Sequence, residues 1–471
     1  MRSSLVGGCV RIAKAVLRGL APWSIALLMA GCGSLPVMVP DMARATAPVQ
    51  IDGANGALSN ARSREILAKL KIGSDATHIF DRHLAIEQAA SDSPLVDGNR
   101  ITMLVDGPDT YRAMFAAIKA ARDHINMESY AIEADEVGQR FADALIEKQR
   151  QGVQVNVIYD SVGSLETPVE FLKRLRDAGI RTLEFNPVNP LAAKAGWDVN
   201  QRDHRKLLVV DGRTAFVGGI NISSVYSGGS FSQRSKVRPG KALPWRDTDL
   251  QIDGPVVAQY QKLFLETWRK QKGEPLPASN FFPTLPRQGG EVVRAIGSSP
   301  SDAVSLMYVT LMSAINSAET EVLLTNAYFV PDAQLKAALV AAAGRGVDVR
   351  LLLPSSTDSA LVFHAGRSNY DELLAGGVKI FERRDVLLHA KTAVVDGVWA
   401  TVGSTNFDWR SFLHNDEVNA VVLGTGFGER MRAAFEADIA KSNEITLEQW
   451  RRRPLDVRMK ETFSLLWQYW L

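Results

Sequence analysis

The chain has 471 residues, 46% of them hydrophobic and 23% charged, with a formal net charge of +2. That is ordinary for a soluble globular protein and leaves room for two domains or one large duplicated one. So balanced a charge does not announce a nucleic-acid binder, so any affinity for phosphate must be focused in a local site.

In chain order, Arg2, Arg11, Lys14 and Arg18 precede a short apolar run from Leu20 to Ala30. The run is short for a spanning helix and reads as a secretory signal, the alternative being an uncleaved N-terminal anchor. The only cysteines are Cys9 and Cys32. Cleavage before Cys32 leaves no pair for an intrachain disulfide and no thiolate metal site. The stretch up to about residue 60 is rich in Pro, Ala, Ser and Gly and reads as a flexible tether.

The body begins with a helix pattern over Tyr111–Asp123 and a strand over His124–Tyr130. A helix (Val137–Arg150), a strand (Val153–Tyr159), a helix (Pro168–Ala178) and a strand (Ile180–Phe185) follow. Thr167 reads as the N-cap before a first-turn proline. The Trp-bearing apolar segment Pro187–Asp198, with Leu191 and Trp197, reads either as the lip of an entrance to a site or as a surface loop packed by its own Trp.

Then comes His204-Arg205-Lys206-Leu207-Leu208-Val209-Val210-Asp211, followed by Gly218-Gly219-Ile220-Asn221. The second half repeats the order: helix Ala303–Ala318, strand Glu321–Phe329, helix Ala333–Ala343, strand Val347–Leu353, a helix within Ser359–Ala375 and strand Val378–Glu382. Gly152 and Gly346 mark equivalent junctions, as do Gly179 and Gly377, where glycine suits the left-handed stop of a helix. His389-Ala390-Lys391-Thr392-Ala393-Val394-Val395-Asp396 and Gly403-Ser404-Thr405-Asn406 close the repeat.

Alternating helices and strands imply an α/β fold with a largely parallel sheet in each half and helices on its faces. The expected division is a signal (1–31), a tether (32–60), a first half (61–280), a second half (281–445) and a basic, apolar tail (446–471). In the tail, Arg451-Arg452-Arg453 precede the Trp- and Tyr-bearing run from Phe463 to Leu471. The aromatic run suits a bilayer interface or packing on the body, and the basic run suits anionic headgroups or plain solvation.

Both motifs read H-x-K-x4-D. Side chains two apart on a strand share a face, so each motif offers an imidazole beside an ammonium. Two such pairs brought together suit a phosphodiester. A neutral imidazole attacks phosphorus, a protonated one supplies the proton for the leaving alkoxide, and Lys206 and Lys391 hold the phosphate oxygens. Asn221 and Asn406 are candidate uncharged donors. The scheme requires no metal or other cofactor, and the seven histidines show no metal-ligand spacing. Asp211 and Asp396 count in the catalytic set as motif members. Each precedes a glycine, however, which favours turn stabilisation over substrate contact. Ser223, Ser404 and Asp408 read as donors in the site wall or as turn residues.

The doubled motif resembles the phospholipase D superfamily. Its flanking phrases, Asn200–Lys206, Ala215–Asn221, Trp245–Asp249, Thr325–Pro331 and Ala400–Asn406, look most similar to bacterial cardiolipin synthases. The resemblance covers roughly residues 100 to 445. It implies two phospholipase-D-like halves about a pseudo-two-fold axis, with the site at their interface. It also implies His204 as the nucleophile that forms a phosphohistidine and His389 as the acid and base, although the residues themselves do not choose. Asp247 and Glu417 sit where the family places carboxylates that orient the histidines, with Asp249 competing with Asp247.

The implied activity is a membrane-associated phosphatidyltransferase acting on phosphatidylglycerol or a similar phospholipid. The alternatives are a hydrolase releasing phosphatidic acid, an exported metal-independent endonuclease and a catalytically silent scaffold. Leu28-Met29-Ala30-Gly31-Cys32 resembles a bacterial lipoprotein signal, which implies lipidation of Cys32. Gly33 after it leans towards the outer membrane of the cell envelope, facing the periplasm.

Overall fold

The apolar run inside each motif forms a strand buried on both faces, and a sheet is built around it in each half. The computed structural model describes residues 48–71, 77–189, 197–230, 243–302 and 304–470. The expected signal, Cys32 and Leu191 lie outside the described residues.

In the first half the main strands are β1 (Leu95–Val105), β2 (His124–Ser129), β3 (Gln154–Asp160), β4 (Arg181–Phe185), β5 (Lys206–Val210), β6 (Thr214–Gly218) and β7 (Thr248–Asp253). They lie in the order β4-β3-β2-β5-β6-β7-β1. The second half has β8 (Glu291–Ser298), β9 (Glu321–Thr325), β10 (Asp348–Pro354), β11 (Lys379–Arg383), β12 (Thr392–Val395), β13 (Trp399–Gly403) and β14 (Asn415–Leu423). Their order, β11-β10-β9-β12-β13-β14-β8, repeats the first. In each sheet the three strands joined by crossover helices are parallel, as the alternation predicts. The motif strands β5 and β12 add to them antiparallel, because short glycine turns carry the chain straight back. Edge strands β1 and β8 pair antiparallel through Asn99–Glu291 and Val96–Val293, which joins the halves.

Period-two alternation then sorts the core. Leu208 and Val210 of β5 face the helices of their own half, where Phe141, Leu145 and Ile118 bury them. Leu207 and Val209 point the other way, into a cluster shared with Val293, Leu323, Val394 and Val422 of the second half. Helices Val257–Lys270 and Thr425–Ile439 fill that cluster with Tyr260, Phe264, Phe427 and Met431. The expected helix stops are met at Gly152, Gly179, Gly346 and Gly377, all with φ near +90°.

Three details depart from the sequence reading. Thr167 does not cap its helix, which begins at Val169, because its hydroxyl donates to the carbonyl of Ile132 instead. The tether does not run free to residue 60: Ile51 is fully buried and pairs with Leu95, since an apolar residue beside an open sheet edge gains by docking there. Residues 77–90 fall within the expected first half (61–280), yet they pack on the second. Thr77 donates to Glu319, the buried ring of His83 meets Trp399 edge-on at 5.5 Å, and Glu87 faces Arg294 at 3.5 Å.

Because one apolar cluster serves both halves, they should unfold together. Leu250→Ala, at a fully buried position in that cluster, is expected to cost about 2–5 kcal/mol. Denaturant unfolding should shift as one transition; two separated transitions would show independent halves.

Candidate active site

Each motif histidine lies just before its strand and is tied to the opposite half. Arg202-Asp203 forms a short parallel ladder with Asn415-Asp416, and the His204 amide donates to the Asp416 carbonyl at 2.9 Å. Trp245-Arg246 makes the equivalent ladder with Leu387-Leu388, and the His389 amide donates to the Arg246 carbonyl at 2.8 Å. The residue after each ladder is the carboxylate. Glu417 therefore meets His204 Nδ1 at 3.0 Å, and Asp247 meets His389 Nδ1 at 2.7 Å. The arrangement is reciprocal: each half supplies the carboxylate for the other half's imidazole.

Both histidines line one cavity of about 470 Å³, together with Asn221, Asn406, Arg202 and Arg410. Val225 lines it too and is 41% exposed, so the cavity reaches the surface. Tyr130 lies edge-on to His204 at 5.2 Å, while Trp245 and Tyr226 flank His389 at 5.0 and 5.7 Å. These aromatic walls limit water around the rings. Gly218 and Gly219 are required where the chain turns into the cavity. A Cβ on Gly219 would lie 2.4 Å from an Asp247 oxygen, and one on Gly218 would lie 1.9 Å from Asp249.

The electrostatics follow from burial against pairing. Burial and the neighbouring Lys206 lower the His204 pKa to about 4, against the pull of Glu417. Burial and Lys391 do the same to His389, also to about 4. Burial alone would raise Glu417, but His204, Lys206 and the Ser404 hydroxyl hold it down at about 2. Asp247 is likewise kept below the ordinary carboxylate range: burial raises it, and His389, Lys391 and the Thr248 amide outweigh that. Near neutrality each imidazole is then neutral, with its Nδ1 hydrogen on an ionised carboxylate and its Nε2 lone pair available.

Burial also brings Lys206 down to about 7 and Lys391 to about 8. Each ammonium is anchored on the carbonyl oxygen of its own motif histidine. Lys391 Nζ also lies 2.9 Å from His389 Nδ1.

The remaining sequence candidates divide. Asn406 lines the cavity with its side-chain oxygen buried and unpaired, whereas Asn221 is occupied by the Ala131 amide at 3.2 Å and the Tyr226 hydroxyl at 3.2 Å. Asp249 does not reach a histidine; it accepts from the Ile220 amide. Ser404 supports Glu417, and Ser223 donates to Glu133 at 2.7 Å. Asp408 lines the cavity and caps the helix Trp409–Leu413 through the Ser411 amide.

Asp211 and Asp396 are not at the site. Each follows the far end of its motif strand, about 16 Å along from the motif lysine in the first half. Asp211 sits at φ +53° and accepts from the backbone amides of Arg122, Asp123 and His124. Asp396, at φ +51°, does the same for Glu319, Thr320 and Glu321. They lock the helix-to-strand joint entering β2 and β9. Of the Pro187–Asp198 segment, the described Trp197 donates to the Pro187 carbonyl at 2.7 Å and lines a depression with Glu184 and Lys270.

Sequence reasoning missed the aromatic walls and a buried charge cluster around Arg205, to which both halves contribute. There Arg205 lies within 3.7 Å of Glu128 and 3.6 Å of Asp416, and it donates to the carbonyl of Glu417 at 3.1 Å. Burial pushes Glu128 up to about 7. Arg205 stands between the two motif residues, and that position was the available signal. Among the described residues no group of three or more His, Cys, Asp or Glu is arranged to hold a metal ion.

Two repeated α/β halves that meet at a shared pair of histidines define a phospholipase-D-like enzyme. Comparison with known proteins agrees. The family model described as "Cardiolipin synthase, PLD-like domain" matches residues 114–227 and 311–439. A cardiolipin synthase of Geobacillus kaustophilus is 37% identical over 376 residues, which is 79% of this chain and 72% of the relative. Cardiolipin synthase A of Pseudomonas aeruginosa is 38% identical over 359 residues, 76% of this chain and 71% of the relative. The crystal structure of a phosphatidylserine synthase from Haemophilus influenzae superposes with a TM-score of 0.59 at 13% identity, over 82% of this chain and 98% of that one, a likeness of fold alone. The chain belongs to the cardiolipin synthase family of the phospholipase D superfamily and is a phosphatidyltransferase of that superfamily.

Two outcomes separate orienting residues from structural ones. Glu417→Gln and Asp247→Asn keep size but lose the anion that fixes the tautomer, so each should lower kcat by roughly 10²–10⁴-fold with the fold intact by circular dichroism. Asp211→Ala removes the acceptor of three backbone amides and should cost about 2–3 kcal/mol in stability, with kcat of the folded protein within a few-fold of wild type. A kcat collapse in Asp211→Ala at a temperature where it is folded would return that residue to the chemistry.

Proposed function

We propose that the protein joins phospholipids by transphosphatidylation, taking the phosphatidyl group from phosphatidylglycerol or a similar donor to a second lipid hydroxyl, so that two phosphatidylglycerols give cardiolipin and glycerol. The observation that carries this is the single cavity lined by two imidazoles from opposite halves, each with Nδ1 committed to a carboxylate.

His204 Nε2 attacks phosphorus and forms a P–N bond as the P–O bond to the leaving glycerol breaks. His389, protonated on Nε2, gives that proton to the departing alkoxide. The acceptor hydroxyl then returns a proton to His389 and attacks phosphorus, and His204 is released. Free, both imidazoles are neutral; an anionic phosphodiester entering a buried cavity favours protonation of one of them, so the donor brings the charge state its own cleavage needs. Lys206, Lys391 and the Asn406 amide hold the phosphate oxygens. Which histidine attacks rests on family resemblance; the labelled phosphoenzyme should be trapped in His389→Ala and not in His204→Ala, and the reverse would exchange the two roles.

The test incubates purified protein with phosphatidylglycerol and follows cardiolipin and glycerol by mass spectrometry. Phosphatidic acid as the sole product would reassign the protein as a hydrolase. For kcat/KM, activity should be lost below about pH 4, where both histidines are protonated and no neutral imidazole is left to attack phosphorus. It should fall through about 7 to 8 as the lysines lose their charge. Lys206→Arg, which does not titrate in this range, should move the first alkaline fall from about 7 up to about 8, the value of Lys391, among the folded, active molecules.

The membrane association suggested by the relatives is proposed here to come from lipidation of Cys32 in the cell envelope, with the body facing the periplasm of the outer membrane. Among the described residues no helix is long and apolar enough to cross a membrane. Labelled fatty acid should enter the wild-type chain and not Cys32→Ser.

A further inference from the structure

The helix Leu455–Ser464 is docked the wrong way round for a soluble protein. Its polar side chains Glu461 and Ser464 are buried, while Leu455, Met459 and Phe463 are 73%, 72% and 62% exposed. These three recur every fourth residue and so form one stripe. Leu466 and Trp467, 74% and 45% exposed, continue the apolar surface beyond the helix. The inversion is specified rather than loose, because Glu461 takes Arg453 at 2.6 Å and lies 4.0 Å from Arg367. Buried ion pairing fixes the helix with its apolar side outward.

The location gives that surface a purpose. The helix packs on Ala360–Arg367 and the following turn packs on Trp409–Leu413. Val362, Arg410 and Ser411 from those two elements line the catalytic cavity. Across the cavity, the loop after β3 exposes Leu165 and the helix that follows exposes its first residue, Val169, at 69% and 68%. Ser164 and Thr167 of that loop bond to the Ile132 backbone, beside the cavity-lining Ala131 and Glu133. Each half therefore raises an apolar rim next to the shared site.

Resting on the lipid-transferase reading above, we propose that these two rims are an interfacial docking face that seats the cavity against a bilayer of anionic phospholipid. Lipid then reaches the histidines from the plane of the membrane without passing through water. A bilayer is the occupant because the exposed apolar side chains adjoin the cavity from both halves, Trp467 suits the interface, and Arg451, Arg452, Arg458 and Lys460 flank the stripe. Exposed ion pairs such as Arg451–Asp371 and Arg452–Glu448 are weak enough to exchange for headgroups.

The experiment uses full-length chains with Cys9→Ser and Cys32→Ser. A single cysteine carrying an environment-sensitive dye is placed at Leu165, Met459 or, as a control at the far end, Phe282, which is 54% exposed beside the Asp211 joint. With vesicles of phosphatidylglycerol and phosphatidylcholine in equal parts, emission should shift to the blue at 165 and 459 and stay unchanged at 282. No shift at 165 and 459, or an equal shift at all three, overturns the proposal. A shift that follows protein concentration without vesicles would make the face a contact between copies and also overturn it.

In parallel, Leu165→Glu with Met459→Glu should lower turnover on those vesicles by about tenfold or more, while turnover on a short-chain phosphatidylglycerol dissolved as monomers stays within about twofold. Equal turnover on vesicles overturns the docking face. Wild type inactive on both lipids, with the dye shift present, would instead fail the transferase reading and leave the docking face standing.

Discussion

The interaction on which the rest of this structure depends is a carboxylate from one half meeting an imidazole from the other. Glu417 and Asp247 are buried charges, and a buried charge without a partner is costly enough to shift its own protonation. Each is satisfied by a histidine across the interface and by donors from its own half, Ser404 for Glu417 and the Thr248 amide for Asp247. The apolar cluster brings the halves together, and these two pairs set how they meet. The small ladders at 202–203 and 245–246 carry backbone order across the junction, so the histidines are positioned by main chain as well as by side chain.

The pseudo-symmetry is not complete. The first motif carries Arg205 where the second carries Ala390, and around Arg205 the first half's Glu128 and Asp203 gather with Asp416 of the second half. Burial raises both Glu128 and Asp203, so this wall is a set of carboxyls around one guanidinium. Because Arg205 grips the Glu417 carbonyl, the carboxylate serving His204 is braced from beneath. Asp247 is instead crowded against Gly219 and a Tyr226–Trp245 aromatic pair lies beside its histidine. The two imidazoles share a charge state, yet they have different surroundings in which to divide the work.

Much of this was legible in the chain. Repeated strands, their helix crossovers, the glycine stops and both His/Lys pairs follow from period, turn chemistry and motif spacing, because those signals are local. Asp247 and Glu417 were identified through family resemblance, but their exchange between halves was not legible, since no local pattern records which segment lies across an interface. Asp211 and Asp396 were counted in the catalytic set as motif members, although the glycine after each already favoured a turn. They are fixed within the motif by a backbone requirement, three amides and a left-handed φ. The docking of residues 77–90 on the second half escaped as well, because it rests on side chains such as His83 and Trp399 that are distant in sequence and carry no motif.

The joints at Asp211 and Asp396 have a bearing on how distant kin are judged. A signature that scores histidine, lysine and aspartate alike mixes two unrelated demands, one on turnover and one on folding. A degenerate copy that keeps the aspartate but has lost its imidazole would still adopt this architecture and still be collected by such a signature, though it could catalyse nothing. Conversely, a descendant that remade the joint with another acceptor would be discarded while fully competent. Inventories of this superfamily drawn from the motif alone therefore record ancestry more faithfully than activity.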